Sequence, residues 1–299
     1  MAAFAHRLDC KVARVSELPA RLLDVGFRGT TGAIASYWVD GFLIDPGPAS
    51  CVDKLLAELP GEPHTLLVTH IHLDHAGAAG TLCRLFPGLR VHVHERGLPH
   101  LADPSRLLAS AERLYGPNLG NLFGRTEPVP ADRLVALAGG ERIDRFRVEY
   151  VPGHASHHVA YFDTVSGAAF IGDACGVRVT PDPVVVAPTP PPDIDVEAWL
   201  RSLEAVERLR PSALCLTHFG IYSDVERHLV AMRASLGDLV ALARSCGRDE
   251  FERWLRARLA EALDAPSLRR LEAVTPLDQL FLGLERYLRK RAEVKDSRP

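Results

Sequence analysis

The sequence predicts an α/β fold with a helical extension at its C-terminus, and three observations lead to that prediction. Short apolar runs typical of strands alternate with helical patterns through residues 1–246. From residue 247 onward only helical spacing occurs. Several strand-like runs end directly at a histidine or an aspartate. We therefore expect an α/β body over residues 1–246 and a helical extension over residues 247–299.

Composition limits the classes of function. The 299 residues carry a formal net charge of −3, which argues against a broad surface for nucleic acid or anionic lipid. No apolar run approaches the roughly 20 residues of a membrane span, and the N-terminus lacks the pattern of a signal peptide. We therefore expect a cytoplasmic protein. The cysteines stand singly, which favours reduced thiols over a disulfide framework: Cys10, Cys51, Cys83, Cys175, Cys215 and Cys246.

The first third of the chain reads as strands followed by helices. Residues 20–29 and 35–47 look like an antiparallel pair of strands, the second ending in a Gly/Pro turn. Residues 50–59 have helical spacing. Residues 64–70, "HTLLVTH", are continuously apolar, as in a strand buried on both faces. A helix is expected over residues 76–86, just after His75.

The middle of the chain continues with strands around a polar insert. A strand is expected over residues 90–95 and a partly helical insert over residues 103–130. Three further strand-like runs then follow in close succession: 146–153, 157–164 and 167–173.

The last third becomes helical. The proline-rich residues 176–193 cannot form a regular helix. A helix over 193–209, a buried strand over 213–218 and a long helix over 224–245 come next.

In the extension, Thr275 and Pro276 look like the N-cap and first residue of the last helix. That helix carries an apolar stripe, which must be buried either as a lid on the body or against a second copy in a homodimer: Leu277, Leu280, Phe281, Leu284 and Leu288.

The stretch "THIHLDHAGAAG", residues 69–80, contains the most specific motif. His70 and His72 are two apart in an extended segment, so they point the same way. Asp74 and His75 lie on the following turn and can point at a second location. One peptide can therefore offer two ligands to each of two metal ions.

Three further candidate ligands also follow apolar strand-like runs and stand near glycine: His154, Asp173 and His218. Asp173 is the natural bridge, since a carboxylate can give one oxygen to each metal. The first predicted set is His70, His72, His154 and Asp173. The second predicted set is Asp74, His75, His218 and Asp173.

Other histidines and one cysteine near this pattern have simpler interpretations. His157 and His158 begin a strand, where packing or support of the ligands is expected. The next three histidines are expected to be structural: His92, His94 and His100. Cys175 is expected to be a small wall residue beside the site.

In order and context, "THIHLDHAGAAG", "PGHASHH", "GDACG" and "LTHFG" resemble the metallo-β-lactamase superfamily over roughly residues 20–230. The resemblance implies a four-layer αββα sandwich with the metals at one edge between two sheets. It also implies that Asp45 supports the metal-binding loop, and we expect His158 to support the site beside it. Asp173 stands where some zinc β-lactamases have cysteine, so antibiotic hydrolysis is not the expected main activity.

The resemblance implies a hydrolase with two divalent metal ions, preferably Zn and otherwise Fe or Mn. The expected mechanism is attack of a metal-bridged hydroxide on a small ester, lactone or thioester, with Asp74 and Asp173 as catalytic residues. The expected substrate is thus a small molecule. The glyoxalase II and lactonase branches are the nearest in pattern, and a lactonase would place Tyr115 or Tyr222 near the site.

Plausible pocket walls are Phe170, Val177, Val179, residues 181–192 and the 103–130 insert. Two other functions stay open on the same fold. One is a mononuclear-iron persulfide dioxygenase that uses His70, His72 or His154, and Asp173. The other is a regulatory or binding protein with the C-terminal helices as its partner surface.

Overall fold

A computed structural model of the chain describes residues 20–296. Cys10 and the N-terminal stretch on which the expected absence of a signal peptide depends lie outside these residues. Among the helices described, none is long and apolar enough to cross a bilayer.

The first sheet has its strands side by side in chain order: β1 (Arg21–Asp24), β2 (Ala35–Val39), β3 (Phe42–Ile44), β4 (Thr65–Leu67), β5 (Arg90–His94) and β6 (Leu134–Leu137). The pairs from β1 to β3 are antiparallel, and those from β3 to β6 are parallel. The C-terminal ends of β3, β4 and β5 therefore share one edge of the sheet.

The second sheet is also ordered along the chain: β7 (Arg142–Ile143), β8 (Phe146–Tyr150), β9 (Val159–Asp163), β10 (Ala168–Gly172), β11 (Ala213–Leu216) and β12 (Gly220–Tyr222). β10 and β11 are parallel, and β8 and β10 both run antiparallel to β9. The C-terminal ends of β8, β10 and β11 therefore also share one edge.

The helices come between and after these strands: α1 (Val52–Glu58), α2 (Leu73–Ala76), α3 (Ala79–Leu85), α4 (Leu98–Ala102), α5 (Ser105–Tyr115), α6 (Leu119–Phe123), α7 (Val196–Arg208), α8 (Val225–Ser245), α9 (Arg248–Ala262), α10 (Ala265–Val274) and α11 (Leu277–Asp296).

Three apolar cores join these elements into layers. Tyr37, Ile44 and Phe170 pack between the two sheets. The outer face of the first sheet packs on the early helices, and the outer face of the second packs on α7 to α11. Alternation within β10 shows how the sequence does this, because Phe170 faces the other sheet while Ile171 faces the helices. The predicted αββα sandwich with C-terminal helices is confirmed.

Two elements differ in detail from the expectation. Residues 35–47 form a hairpin rather than one strand, because Asp40 and Gly41 adopt left-handed conformations with φ of 47° and 89° and turn the chain. The helix expected from residue 76 begins three residues earlier, at Leu73. Asp74 and His75 therefore lie inside α2 and not in a loop before it. The sequence does not predict the strands β6, β7 and β12.

The C-terminal helices share one core with the second sheet. Phe251 of α9 and Leu284 of α11 lie in the same buried cluster as Trp199. Asp264 caps α10 by accepting a hydrogen bond from the Ser267 amide at 2.8 Å. The predicted cap at Thr275 is wrong, because α11 begins at Leu277 and the Thr275 hydroxyl has no partner among the described residues.

Candidate metal centre

Strand ends of both sheets meet at one edge of the sandwich, and this edge carries the candidate ligands. His70 follows β4, and His154 follows β8. Asp173 and His218 follow β10 and β11, which are parallel neighbours. Asp74 and His75 reach the same place from α2. The side chains are buried except at His72 and Asp74, which are half-buried.

The first group consists of His70, His72 and His154, whose ligand atoms converge. Nδ1 of His72 lies 3.0 Å from Nε2 of His70 and 3.0 Å from Nε2 of His154. Oδ2 of Asp173 lies 3.4 Å from Nε2 of His154. Ligand atoms about 2.0 Å from a tetrahedral zinc ion stand roughly 3.3 Å apart, so these separations suit one cation.

The second group consists of Asp74, His75 and His218. Nε2 of His218 lies 3.2 Å from Oδ2 of Asp74 and 3.5 Å from Oδ1 of Asp173. Nε2 of His75 lies 3.3 Å from the same Asp173 oxygen. Asp173 thus turns one carboxylate oxygen towards each group, and the structure brings all seven predicted side chains together. His70, His75 and Asp173 also converge with one another, so the two groups adjoin and the predicted division between them stays a prediction.

Hydrogen bonds to the other ring nitrogens fix how these imidazoles are presented. Nδ1 of His154 donates to the Pro188 carbonyl at 2.8 Å, and Nδ1 of His218 donates to the Ala33 carbonyl at 3.1 Å. Because a carbonyl oxygen only accepts, each Nδ1 holds the proton and each Nε2 keeps its lone pair. Such fixed tautomers are typical of metal-ligating histidines.

Asp45 organises the loop that carries the motif. Its carboxylate accepts from Nδ1 of His75 at 2.8 Å, from the Thr69 amide at 2.8 Å and from the Thr69 and Thr217 hydroxyls. The Thr69 hydroxyl, whose proton goes to Asp45, accepts from Nδ1 of His70 at 3.2 Å. Asp45 therefore reaches both candidate groups, which is the supporting position predicted for it.

His158 supports the centre by contacting two of the candidate ligands. Its Nε2 accepts from the Asp173 amide at 3.1 Å, and its ring stacks on His70 with centroids 4.6 Å apart. Gly172 makes this contact possible, because a Cβ there would lie 2.9 Å from Nε2 of His158 and 2.4 Å from the Thr69 hydroxyl, and the backbone has φ of 46°.

The charges of the centre favour a cation. Burial and the surrounding imidazoles hold the pKa of His70 well below its usual range and lower the pKa of His72 to about 3, so both rings are neutral at pH 7. Burial would raise the pKa of Asp74, but His75 and His218 lower it to about 2. Burial alone would lower the pKa of His75 and His218, but Asp173 and Asp74 raise the pKa of both rings. The two carboxylates therefore favour positive charge at the second group, which a metal ion can supply in place of protons.

Three buried atoms give an independent test of fit. Nε2 of His75, Nε2 of His218 and Oδ1 of Asp173 have no hydrogen-bond partner among the described residues. Buried polar atoms without partners are unfavourable by about 1–3 kcal/mol each, and these three face one another across the second group. A divalent cation there would satisfy all three, so the residues fit a metal.

A cavity of about 330 Å³ opens above the centre. Four candidate ligands line it: His72, Asp74, His154 and Asp173. Its walls come from α5 of the insert, from the proline-rich segment at Pro188–Asp193 and from the start of α11. Residues 274–280 of the C-terminal helices thus contribute to the cavity wall within one chain, while the choice between a lid and a dimer surface stays a prediction.

Several expectations about the surroundings are wrong. Phe170, Val177 and Val179 do not line the cavity, because they face the apolar cores. Cys175 is fully buried in the core of the second sheet rather than in the wall, and burial raises the pKa of its thiol. His100 lines the cavity instead of being only structural.

Of the two tyrosines that a lactonase would place near the site, only Tyr115 lines the cavity. Tyr115 lines the cavity and donates a hydrogen bond to Gln279 at 3.1 Å. Tyr222 lies outside the cavity and donates to the Arg178 carbonyl at 2.8 Å.

Sequence reasoning missed the polar groups of the cavity mouth and lid. Arg96, Arg106, Asp193 and Gln279 all line the cavity. A usable signal existed only for Arg96, which follows the end of β5 as the ligands follow the ends of their own strands. The others stand on helices and loops whose place depends on packing between distant segments.

Comparison with known proteins agrees with this geometry. A family model described as the metallo-β-lactamase superfamily matches residues 29–218. The metallo-β-lactamase fold-containing protein ST1585 of Sulfurisphaera tokodaii is 31% identical over 177 residues, which are 56% of this chain and 65% of that protein. A hydroxyacylglutathione hydrolase of Enterobacter sp. (strain 638) is 30% identical over 131 residues, 44% of this chain and 41% of that enzyme. The chain therefore spans less than two thirds of the length of these curated relatives.

Solved structures show the same fold. The crystal structure of ST1585 from Sulfolobus tokodaii aligns with a TM-score of 0.67 and 22% identity, covering 89% of this chain and 98% of that one. The crystal structure of TTHA1623 in a di-iron-bound form aligns with a TM-score of 0.50 and 26% identity, covering 66% and 94%. The match over residues 29–218 confirms the resemblance inferred from the motifs, and this chain belongs to the metallo-β-lactamase superfamily.

Proposed function

We propose that this protein hydrolyses a small ester, lactone or thioester with the help of two divalent metal ions. The observation that carries the proposal is the position of Asp173, which turns one carboxylate oxygen towards each of two convergent ligand groups at the base of a cavity.

The first ion would be held by His70, His72, His154 and Asp173. The second would be held by Asp74, His75, His218 and Asp173. Zinc suits both sets, and iron and manganese suit them as well; the di-iron form of TTHA1623 supports iron as an alternative. Two such ions lower the pKa of a bound water and polarise the carbonyl that it attacks.

The protein's own groups orient this reaction. Asp74 is the half-buried carboxylate at the cavity base, so it is placed to accept a hydrogen bond from the attacking water and to orient it. Asp173 and the Asp45 network keep the ligands in place. Leu107, Leu114 and Leu280 provide an apolar wall that keeps bulk water from the substrate.

The size of the cavity and the relatives support the proposed substrate class. A volume of about 330 Å³ lies at the small end of ligand pockets. Relatives named hydroxyacylglutathione hydrolase support an acyl substrate. The dioxygenase alternative needs only one metal, whereas the second group converges as closely as the first and would have no role in it.

Metal analysis together with a substrate panel tests the proposal. We expect two metal ions per chain and hydrolysis of at least one among 4-nitrophenyl esters, lactones and S-acyl thioesters. Asp173→Asn should lose metal and lower kcat/KM at least about 100-fold, because it removes a ligand of both ions. Asp45→Asn should lower kcat/KM by about 10- to 100-fold through misplaced ligands.

Asp53→Asn, an exposed change on α1, is the control and should keep wild-type metal content and rate. A folded Asp173→Asn protein with two metals and full activity would refute the ligand assignment. Wild-type protein with two metals and no turnover across the panel would refute the hydrolase proposal, and thiol-dependent oxygen consumption with one iron would favour the dioxygenase.

A further inference from the structure

Arg96 is a positioned cation at the mouth of the cavity. One of its guanidinium nitrogens donates to the Tyr150 hydroxyl at 3.1 Å, and the guanidinium carbon lies 5.9 Å from the centre of the Tyr150 ring. Tyr150 is itself fixed, because its hydroxyl donates to the Ser156 carbonyl at 2.8 Å. The side chain of Arg96 is therefore held at the mouth rather than free to sweep through solvent.

Arg106, the second residue of α5, is a second exposed arginine that lines the cavity. Among the side chains that the structure describes, those of residues 20–293, no carboxylate lies within 4 Å of either guanidinium. His100 of α4 lines the same region. Two arginines that share one cavity without a carboxylate partner repel each other unless an anion lies between them.

Asp193, the carboxylate that lines the cavity besides the candidate ligands, already has hydrogen-bond donors within the protein. Asp193 accepts hydrogen bonds from the amide of Ser156 at 3.2 Å and from its hydroxyl. Those bonds hold the Asp193 carboxylate against Ser156. Outside the candidate ligands, the cavity is therefore lined by two arginines against one aspartate, and its mouth is cationic.

Burial distinguishes this cationic mouth from the candidate metal centre, because Arg96 and Arg106 are exposed whereas the candidate ligands are buried or half-buried. Apolar residues of the same lining are also buried or half-buried: Leu107, Ala111, Leu114, Val274 and Leu280. A ligand that reaches from the mouth to the centre therefore lies against apolar surface. A cationic mouth, an apolar lining and a candidate metal centre are together complementary to an acyl compound that has its reactive carbonyl at one end and a negative charge at the other.

We propose that the substrate carries an anionic group, a carboxylate or its equivalent, which Arg96 and Arg106 bind while the scissile carbonyl lies at the His/Asp cluster. This inference rests on the proposed ester, lactone or thioester hydrolase, and it names the substrate class of that same site. Arg96 and Arg106 then determine specificity and take no part in bond breaking.

A matched pair of substrates tests the proposal. Mono-4-nitrophenyl glutarate and 4-nitrophenyl valerate have the same leaving group and acyl length, and differ in a terminal carboxylate. In the metal-loaded wild type we expect kcat/KM for the glutarate to exceed that for the valerate at least about tenfold, after subtraction of uncatalysed hydrolysis. Added NaCl should reduce this ratio, since the mouth and the carboxylate are exposed to solvent.

The variant Arg96→Gln/Arg106→Gln should lower the glutarate-to-valerate ratio by about 10- to 100-fold, mainly through KM, because two charge-assisted contacts are lost. Arg113→Gln on the same helix is the matched control, since Arg113 is exposed and does not line the cavity. An unchanged ratio in the double variant overturns the proposal even when both esters are hydrolysed.

Calorimetric titration of the metal-loaded proteins with glutarate and glutaramide supplies a readout without turnover. We expect glutarate to bind the wild type at least about tenfold more tightly than the double variant, while glutaramide shows no such preference. If neither ester is hydrolysed but this arginine-dependent preference is present, the hydrolase proposal fails and anion recognition stands. Equal glutarate binding by both proteins overturns the anionic subsite.

Discussion

His228 shows how one buried imidazole connects stability to pH. Its Nε2 donates to the Cys175 carbonyl at 2.8 Å, and its Nδ1 lies 3.4 Å from the guanidinium of Arg178 and can accept from it. Burial, helped by the Arg178 charge, lowers the pKa of His228 to about 4 from the ordinary 6.5. The folded protein therefore holds this ring neutral where the unfolded chain protonates it.

The sign of the pH effect follows from that difference. Between pH 6.5 and pH 4 the unfolded chain binds more protons at this residue, so its contribution to stability is complete above pH 6.5 and is lost as pH falls to about 4. We expect a loss on the order of 3 kcal/mol in the free energy of unfolding from this group.

Urea unfolding at pH 7 and pH 4.5, at equal metal loading, measures the effect. His228→Gln should show a smaller drop in stability than wild type, while His64→Gln at an exposed position should show the wild-type drop. The same drop in all three proteins would contradict the assignment to His228.

At the scale of elements, α11 packs closely against the 188–190 loop, which orients the candidate ligand His154. A Cβ on Gly283 would lie 1.9 Å from the Thr189 carbonyl oxygen and 2.8 Å from the Pro190 carbonyl carbon. Pro188, next to Thr189, supplies the carbonyl that accepts from His154. The contact is between backbones, so a flexible side chain cannot relieve it.

Gly283→Ala is therefore expected to destabilise the protein by about 1–3 kcal/mol and to reduce activity through a displaced His154. Gly237→Ala is the matched control inside α8, where the added methyl meets nothing within 4 Å and should stabilise by about 0.5–1 kcal/mol. Thermal melts and kcat/KM of both variants check this. A Gly283→Ala protein with wild-type stability and activity would show that the loop moves aside without displacing His154.

The sequence was informative at the strand ends because a local pattern is enough there. An apolar run such as 64–70 predicts a buried strand, and parallel strands end at a common edge, so the amino-acid sequence alone sufficed to group the candidate ligands. Phe170 shows the limit. Its neighbours Gly172 and Asp173 reach the centre, but period-two alternation turns Phe170 into the core between the sheets.

At the scale of the whole molecule, the cavity walls depended on contacts that no local pattern encodes. Tyr115 and Gln279 are 164 residues apart, and their hydrogen bond joins the insert to the last helix. The apolar stripe of that helix predicted burial but could not choose between this chain and another copy. The homodimer stays a prediction, as does the division of the chain at residue 246.

A chain ended at residue 246 tests how far the body depends on its extension. Phe251, Leu271, Leu280 and Leu284 are fully buried in one cluster with Trp199, so their removal exposes a large part of that core. We expect the shortened chain to bind ANS, to unfold without a cooperative transition and to lose activity. A monomeric, cooperatively unfolding fragment with wild-type rate would show instead that the extension is dispensable.

The separation of ligands from walls has a practical meaning for protein engineering. The seven candidate ligands follow strands of the sandwich or lie at the short helix α2, whereas the cavity walls belong to α5, the 188–193 loop and the start of α11. A combinatorial library confined to wall positions such as Leu107, Leu114 and Leu280 would, on the proposed function, vary the acyl group accepted without altering the candidate ligands. For the same reason, substitutions in the cavity walls alone could change substrate specificity during evolution.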